Sequence, residues 1–379
     1  MLKKHTTLFT LCLVVFLDFL SYSLIFPIIT PIFLDPSISF LPKGTTENMR
    51  TLIFGLVSSA YPIAQFFGAP IIGAFSDRHG RKRMLTLTLC GSALANLAFV
   101  IGLLFQSATV MFIGRLIGGF MGGNAALANS MVGDISDENE KSRNYGFIGL
   151  AMAFGVVIGP FVGGRLTDPH FLPGAGPSTP FYFSTLLSLI AVIFVVLFCK
   201  ETLKKSHYRK VSMFEGLKKI FQAISHSNLR MIYLMTFLIY LSFNVFIYSL
   251  NIDLFKRLGF REIDLGNFYA YTGVWLVIAL GLINVIVAKK FKILQVLKFS
   301  IIGMSICFAM SLVPKTYLGL YILTPFLALA YGLSLSNVNA LLSNSVDKKE
   351  QGEAFGVNQS LQSFIEAITP LFTSLLLTV

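Results

Sequence analysis

The chain alternates between long apolar runs and short polar breaks. Apolar stretches of about 20 residues or more read as membrane-spanning helices. Eleven spans are predicted: Thr6–Phe33, Leu52–Phe75, Met84–Phe105, Thr109–Val132, Tyr145–Leu166, Phe181–Phe198, Met231–Ile252, Phe268–Val287, Leu294–Leu312, Tyr317–Leu335 and Ala354–Val379. The fold class is therefore an all-α polytopic membrane protein. The largest break, Lys200 to Arg230, separates six spans from five. Residues 1–200 are expected to form an N-terminal six-helix bundle, residues 201–229 a cytoplasmic linker, and residues 230–379 a C-terminal bundle with five helices visible. Within the linker, Ser212 and Glu215 have capping-box spacing. Phe214, Leu217, Ile220, Phe221 and Ile224 follow at helical spacing, with Lys218 and Lys219 opposite. That pattern predicts a short amphipathic helix on the inner membrane surface.

Composition supports this class: 55% of residues are hydrophobic and 13% charged, against roughly 45–50% and 25% in ordinary soluble domains. A net charge of +12 raises the question of nucleic acid. The basic residues lie in the short breaks, not on one soluble face, so nucleic acid is not expected as a partner. Their distribution sets orientation instead. With the N-terminus inside, the inner side receives Lys3, Lys4, the four cations of residues 78–83, Lys141, Arg143, eight between Lys200 and Arg230, four between Lys289 and Lys298, and Lys348 and Lys349. The outer side receives only Lys43, Arg50, Arg165, Lys256, Arg257, Arg261 and Lys315. This bias predicts a cytoplasmic N-terminus, and a bacterial inner membrane is the expected location. Lys3 and Lys4 before an apolar run imitate a signal peptide, but that run is too long and lacks a small-residue cleavage site. The four cysteines have no paired spacing, so neither a metal site nor a disulfide framework is predicted.

Some polar residues fall where polarity is costly. Asp18 lies mid-span in the first run, followed by Pro27 and Pro31. An ionised carboxylate there is expensive, so its neutral form becomes accessible, and Asp18 is a candidate proton or cation site. A permanent pair with Arg115 is the structural alternative. Arg115 is set deep in the fourth span, where an unpaired charge costs at least about 2.5–3.5 kcal/mol on insertion scales. Glu366 lies mid-span in the last run, with Gln362 one turn away, and is a second protonation candidate. Tyr61, Gln65, Asn124, Asn244, Trp275, Asn337, Gln359 and Gln362 are candidate linings of a cavity at the midplane between the halves.

Residues 73–83 read GAFSDRHGRKR. Gly73, Asp77, Arg78, Gly80, Arg81 and Lys82 resemble, in order and position, the loop signature of the major facilitator superfamily. The resemblance implies two pseudo-symmetric six-helix bundles and a conformational latch in this loop. Arg81 would pair with an acid at the end of the fourth span, where Asp134 stands, and Asp77 would face the positive end of a C-half helix. Gly155, Gly159, Pro160, Gly163 and Gly164 resemble the fifth-helix signature of the family's antiporters, implying close packing against the other half. Arg115 resembles the family's fourth-helix arginine motif, proposed to influence proton transfer. Together these segments look like the drug/proton antiporter branch that includes the tetracycline exporters. The third span offers only Asn96, the eighth and ninth lack an acid or histidine, and all five histidines lie outside the spans. These departures point away from tetracycline itself. The fold has twelve helices, so a twelfth is expected to be missing or truncated here.

No nucleotide-binding loop and no catalytic or metal-binding spacing is found. The expected function is a secondary active transporter, not an enzyme: a proton-coupled antiporter exporting a small organic compound or drug. It is expected to work as a monomer in the lipid bilayer, without cofactor or nucleotide. An importer of a metabolite or siderophore with the same fold, and a non-transporting receptor or scaffold, are the alternatives.

Overall fold

The computed structural model describes residues 2–36, 41–42, 44–203, 214–225, 229–313, 316–347 and 350–378. Among the described residues every regular element is a helix. α1 (Leu2–Ser23) and α2 (Phe26–Leu34) make the first crossing, followed by α3 (Glu47–His79) and α4 (Arg81–Leu104). α5 (Ala108–Phe120) and α6 (Asn124–Ile135) share the fourth, and α7 (Glu138–Arg165) and α8 (Thr179–Phe198) complete the first half. After the linker helix α9 (Glu215–Ser225) come α10 (Arg230–Leu258) and α11 (Glu262–Ile278). A π turn at Ala279–Ile283 carries α11 into α12 (Asn284–Ala288), and α13 (Ile293–Met310), α14 (Tyr317–Asn344) and α15 (Gln351–Leu376) follow.

Ten of these crossings are long and apolar enough to span a membrane. The eleventh predicted span, α15, is long enough but too polar, because Gln359, Gln362 and Glu366 interrupt it. It packs along the length of α3 all the same.

Two spans predicted as continuous are broken. The first stops at Ser23 because Pro27 has no amide hydrogen and its ring would strike the Ser23 carbonyl. The Ser23 hydroxyl donates to the Phe19 carbonyl at 2.7 Å and to the Gly155 carbonyl at 2.9 Å, which fastens the break to α7. The fourth breaks at residues 121–123, where Gln65 Nε2 donates to the Gly122 carbonyl at 2.7 Å.

The apolar interior gathers in two main clusters. One includes Leu11, Val14, Leu85, Met131 and Ala191 from α1, α4, α6 and α8. The other includes Tyr233, Met304, Tyr331, Val338 and Leu361 from α10, α13, α14 and α15. Between the halves, α3 lies on α15 and α7 on α11. α9 forms where the linker pattern predicts a helix, although Ser212 of the expected capping box lies outside the described residues. It docks on α15, α10 and α3: Gly216 sits against the Phe66 ring, while Phe221 is 69% exposed.

The fifth-span glycines correct an expectation. Gly155, Gly159 and Gly163 recur every fourth residue and face α1 of their own half, where added Cβ atoms would strike Leu20, Ser23 and Leu24. Only the adjoining stripe meets the other half: Gly164 touches Glu262 and Ile263, and Gly266 touches the Pro160 carbonyl. Four-residue steps keep one face, and the single step from 163 to 164 turns about 100° onto the next.

Candidate functional site

The two helix breaks bring Asp18 and Asn124 together. Asn124 opens α6 just past its break and is 2% exposed; its Nδ2 donates to Asp18 Oδ1 at 2.7 Å. Arg115, on α5, is 8% exposed, and its guanidinium lies 4.9 Å from the centre of the Tyr61 ring. Its Nε has no protein partner. Among the described residues no ion pair joins Arg115 to Asp18, so the permanent pairing is not seen. The two side chains instead line one polar cavity of about 40 Å³ with Ser21, Tyr22, Tyr61 and Asn96. That space admits about three water molecules. Behind it, Ser21 and Ser184 share a hydrogen bond, and Asn96 Nδ2 donates to the Ser184 hydroxyl at 3.0 Å.

Across the interface, Glu366 is exposed although it sits mid-helix among packed helices. What it faces is the space between the halves. Its charge reaches Tyr22 and Tyr61 of the first half and Tyr240, Tyr248 and Tyr331 of the second. Gln362 stands one turn before it on the same helix. Tyr22 contacts Phe26 at 5.1 Å and Tyr61 at 5.0 Å, and Phe26 meets Tyr269 of the other half at 6.3 Å. The cavity of the first half thus holds one carboxyl and one guanidinium, Glu366 stands on α15 of the second half, and aromatic rings of the two halves meet at Phe26 and Tyr269.

The remaining cavity candidates divide. Gln359 is exposed, and Trp275 is half-buried beside Tyr271. Asn244 donates to the Tyr240 carbonyl within its own helix at 2.9 Å. Gln65 serves the α5–α6 break instead of a free cavity wall. Asn337 is a correction: it is 4% exposed and donates to Asn284 Oδ1 at 3.0 Å, inside the second half. A polar residue in a span reads from sequence as cavity lining, but a neighbouring polar side chain satisfies this one in the core.

At the basic end, Arg81 joins both acids of the loop signature. Its Nε donates to Asp134 Oδ2 at 2.5 Å and its NH1 lies 3.1 Å from Asp77 Oδ1. Thr202 donates its hydroxyl to the same Asp134 oxygen at 2.9 Å. Glu201 weakly extends the family resemblance with Thr202 and Leu203, but its role is not given by the sequence. Its carboxylate accepts the backbone N–H groups of Arg81 at 2.9 Å and Lys82 at 3.2 Å, so it caps the N-terminus of α4 from 120 residues away. Gly80 makes room for it: its φ is +104°, and a Cβ there would strike that carboxylate. Arg78 is exposed at the end of α3. A Cβ on Gly73 would meet nothing within 4 Å.

The opposite end holds ties that cross between the halves. Arg261 pairs with Asp35, Lys256 with Glu47 at 3.2 Å, and Arg165 NH1 donates to Asn267 Oδ1 at 2.9 Å. The Ser59 hydroxyl accepts the backbone N–H of Leu371 at 2.9 Å. These cations entered the sequence reading only as orientation charges.

Comparison with known proteins agrees with this architecture. Multidrug resistance protein 2 of Bacillus subtilis (strain 168) is 26% identical over 388 aligned positions, covering 99% of this chain and 90% of that protein. Tetracycline resistance protein, class H, of Pasteurella multocida is 29% identical over 201 positions, covering 53% of this chain and 46% of that protein. The crystal structure of the human organic anion transporter MFSD10 (TETRAN) superposes with a TM-score of 0.70 at 21% identity, over 98% of this chain and 93% of that one. The pattern of the Major Facilitator Superfamily matches residues 11–370. With that match running through both halves, the chain belongs to the Major Facilitator Superfamily.

Proposed function

We propose that this membrane transporter is a proton-coupled antiporter that exports a small organic compound by alternating access, across a bacterial inner membrane with its N-terminus inside. One observation carries the reading: Asp18 sits mid-span, lining a cavity of the first half, held by the neutral amide of Asn124 and not by Arg115, which lines the same cavity. A carboxyl held by a hydrogen-bond donor, with an unpaired guanidinium close by, can gain and lose a proton without dismantling a salt bridge. Glu366, on the other wall, is the second proton site, or the group that meets a cationic substrate. The aromatic wall suits an apolar or aromatic compound. The names of the relatives, multidrug and tetracycline resistance proteins, support outward movement.

In this reading the molecule is closed at the outer end by Arg261–Asp35, Lys256–Glu47 and Arg165–Asn267. Proton movement at Asp18 precedes the rocking that breaks these ties and closes the basic end. The open space at Gly73 is where a helix of the second half approaches in that state. Asp77→Asn is expected to slow turnover about fivefold, the effect of roughly 1 kcal/mol from a partly exposed pair, while changing substrate affinity less than twofold. Equal turnover in the variant and the parent protein removes the latch role.

The decisive experiment is transport in proteoliposomes under an imposed pH gradient. Antiport predicts substrate moving against the proton flow. Movement with it means import, and absence of coupled flux means a receptor or scaffold.

A further inference from the structure

The second half carries a groove of about 340 Å³ that is distinct from the cleft. That is within the roughly 300–1,000 Å³ of ordinary ligand pockets. It lies between α12, α13 and α14 and is lined by Val287, Phe291, Val296, Phe299, Ala330 and Leu333. α14 separates it from the cleft: Ala330 faces the groove, whereas the next residue, Tyr331, stacks on Phe243 at 3.4 Å. The floor is already satisfied, because Ser334 donates to the Ser300 hydroxyl at 2.8 Å and Ser300 to the Leu297 carbonyl at 3.1 Å. No floor group therefore calls for a polar ligand. Phe291 and Phe299, at the rim, are 58% and 71% exposed.

The mouth is different. The turn from α12 to α13 carries Lys289, Lys290 and Lys292, all exposed, and Lys298 follows two turns into α13. No acidic residue occurs between Asn284 and Ser300. From Lys292 to Ser300 is eight residues, about 12 Å of helix. The apolar channel thus begins beside a cationic cluster and runs about 12 Å from it towards the middle of the membrane.

We propose that this groove holds an anionic phospholipid, with one acyl chain among Phe291, Phe299 and Leu333 and the phosphate against Lys289, Lys290 and Lys292. Charge complementarity selects this occupant. A ligand matching the surface needs a long apolar part and a negative group at one end only, and basic pockets at the edge of a bilayer bind anionic headgroups. A peptide would bring a row of backbone N–H and C=O groups into a channel whose lining carries just two polar side chains, Gln295 and Ser300, the latter already bonded to Ser334 and Leu297. The bound chain would brace α12 and α13, whose outward faces, such as Val285, Ile286 and Ile302, are otherwise bare.

The test uses the purified full chain in detergent, with lipid retention read by native mass spectrometry and stability by thermal unfolding. Phosphatidylglycerol is expected to bind at least tenfold tighter than phosphatidylcholine and to raise the unfolding temperature. The triple change Lys289→Gln, Lys290→Gln, Lys292→Gln is expected to erase that preference. Filling the groove with Ala330→Phe, or at its rim with Val287→Trp, is expected to cost at least tenfold in phosphatidylglycerol affinity. Four results overturn the proposal. They are equal binding of the two lipids, a preference that survives the triple change, phosphatidylglycerol affinity unaltered by the rim variant in a folded protein, and glycerol phosphate competing as well as the whole lipid. The last would mean a site for free anions.

Discussion

Replacing Asp18 with asparagine is expected to abolish gradient-driven transport while leaving a folded protein that still binds substrate. Asparagine has nearly the same volume and keeps a carbonyl oxygen where Asp18 Oδ1 accepts from Asn124 at 2.7 Å. The helix break, the polar cavity and the contacts of α1 are therefore preserved. What disappears is the ability to take up and release a proton. Substrate exchange without a gradient, which needs only rocking, is expected to persist. Gradient-driven uptake is expected to fall to the level of protein-free vesicles. The measurement is a paired assay of driven transport and equilibrium exchange, with thermal unfolding as the folding control. Driven transport at the parent rate would remove Asp18 from the coupling mechanism and leave Glu366 as the carboxyl to test.

The second large effect is structural and separates two glycines on one helix. Gly163→Ala is expected to destabilise the protein by about 1–3 kcal/mol, as overpacking does in a tight core. The added methyl would collide with the carbonyl of Leu24, which lies in the break between α1 and α2 and is backbone, so it cannot rotate away. Gly146→Ala, earlier on α7, is expected to be neutral or stabilising by up to about 1 kcal/mol, because its methyl meets open space and alanine favours helix. Unfolding temperatures in detergent check both. Equal shifts for the two variants would mean that the α1–α7 contact does not limit stability.

The contrast between those glycines shows how far local pattern reaches. Gly163 was legible as a packing residue from the resemblance of its segment to the antiporter signature. Its partner was not, because spacing defines a face and not what lies against it. The same holds at the basic loop. The resemblance of the loop to the family signature brings out Asp77 and Arg81, and implies an acid where Asp134 stands at the end of the fourth span. Glu201 carries no local signal of its capping role, since its cap on α4 exists only when the end of α8 comes back to the start of α4. Arg165, Lys256 and Arg261 were visible as charges, yet their partners Asn267, Glu47 and Asp35 lie between 102 and 226 residues away.

From the order of residues alone follow the helical class, the polar breaks, the mid-membrane carboxyls at Asp18 and Glu366, and the signature loop. Each rests on a cost paid locally: a charge in hydrocarbon, a basic turn at a membrane surface. Tertiary structure decided which neighbour answers Asp18, which polar residues are satisfied in the core, and which side chains tie the two halves together at the end opposite the basic loop. It placed Asn124 and not Arg115 on Asp18, and it buried Asn337 against Asn284. These outcomes depend on how whole helices meet, and the free energy of such meetings is shared among residues far apart in the chain.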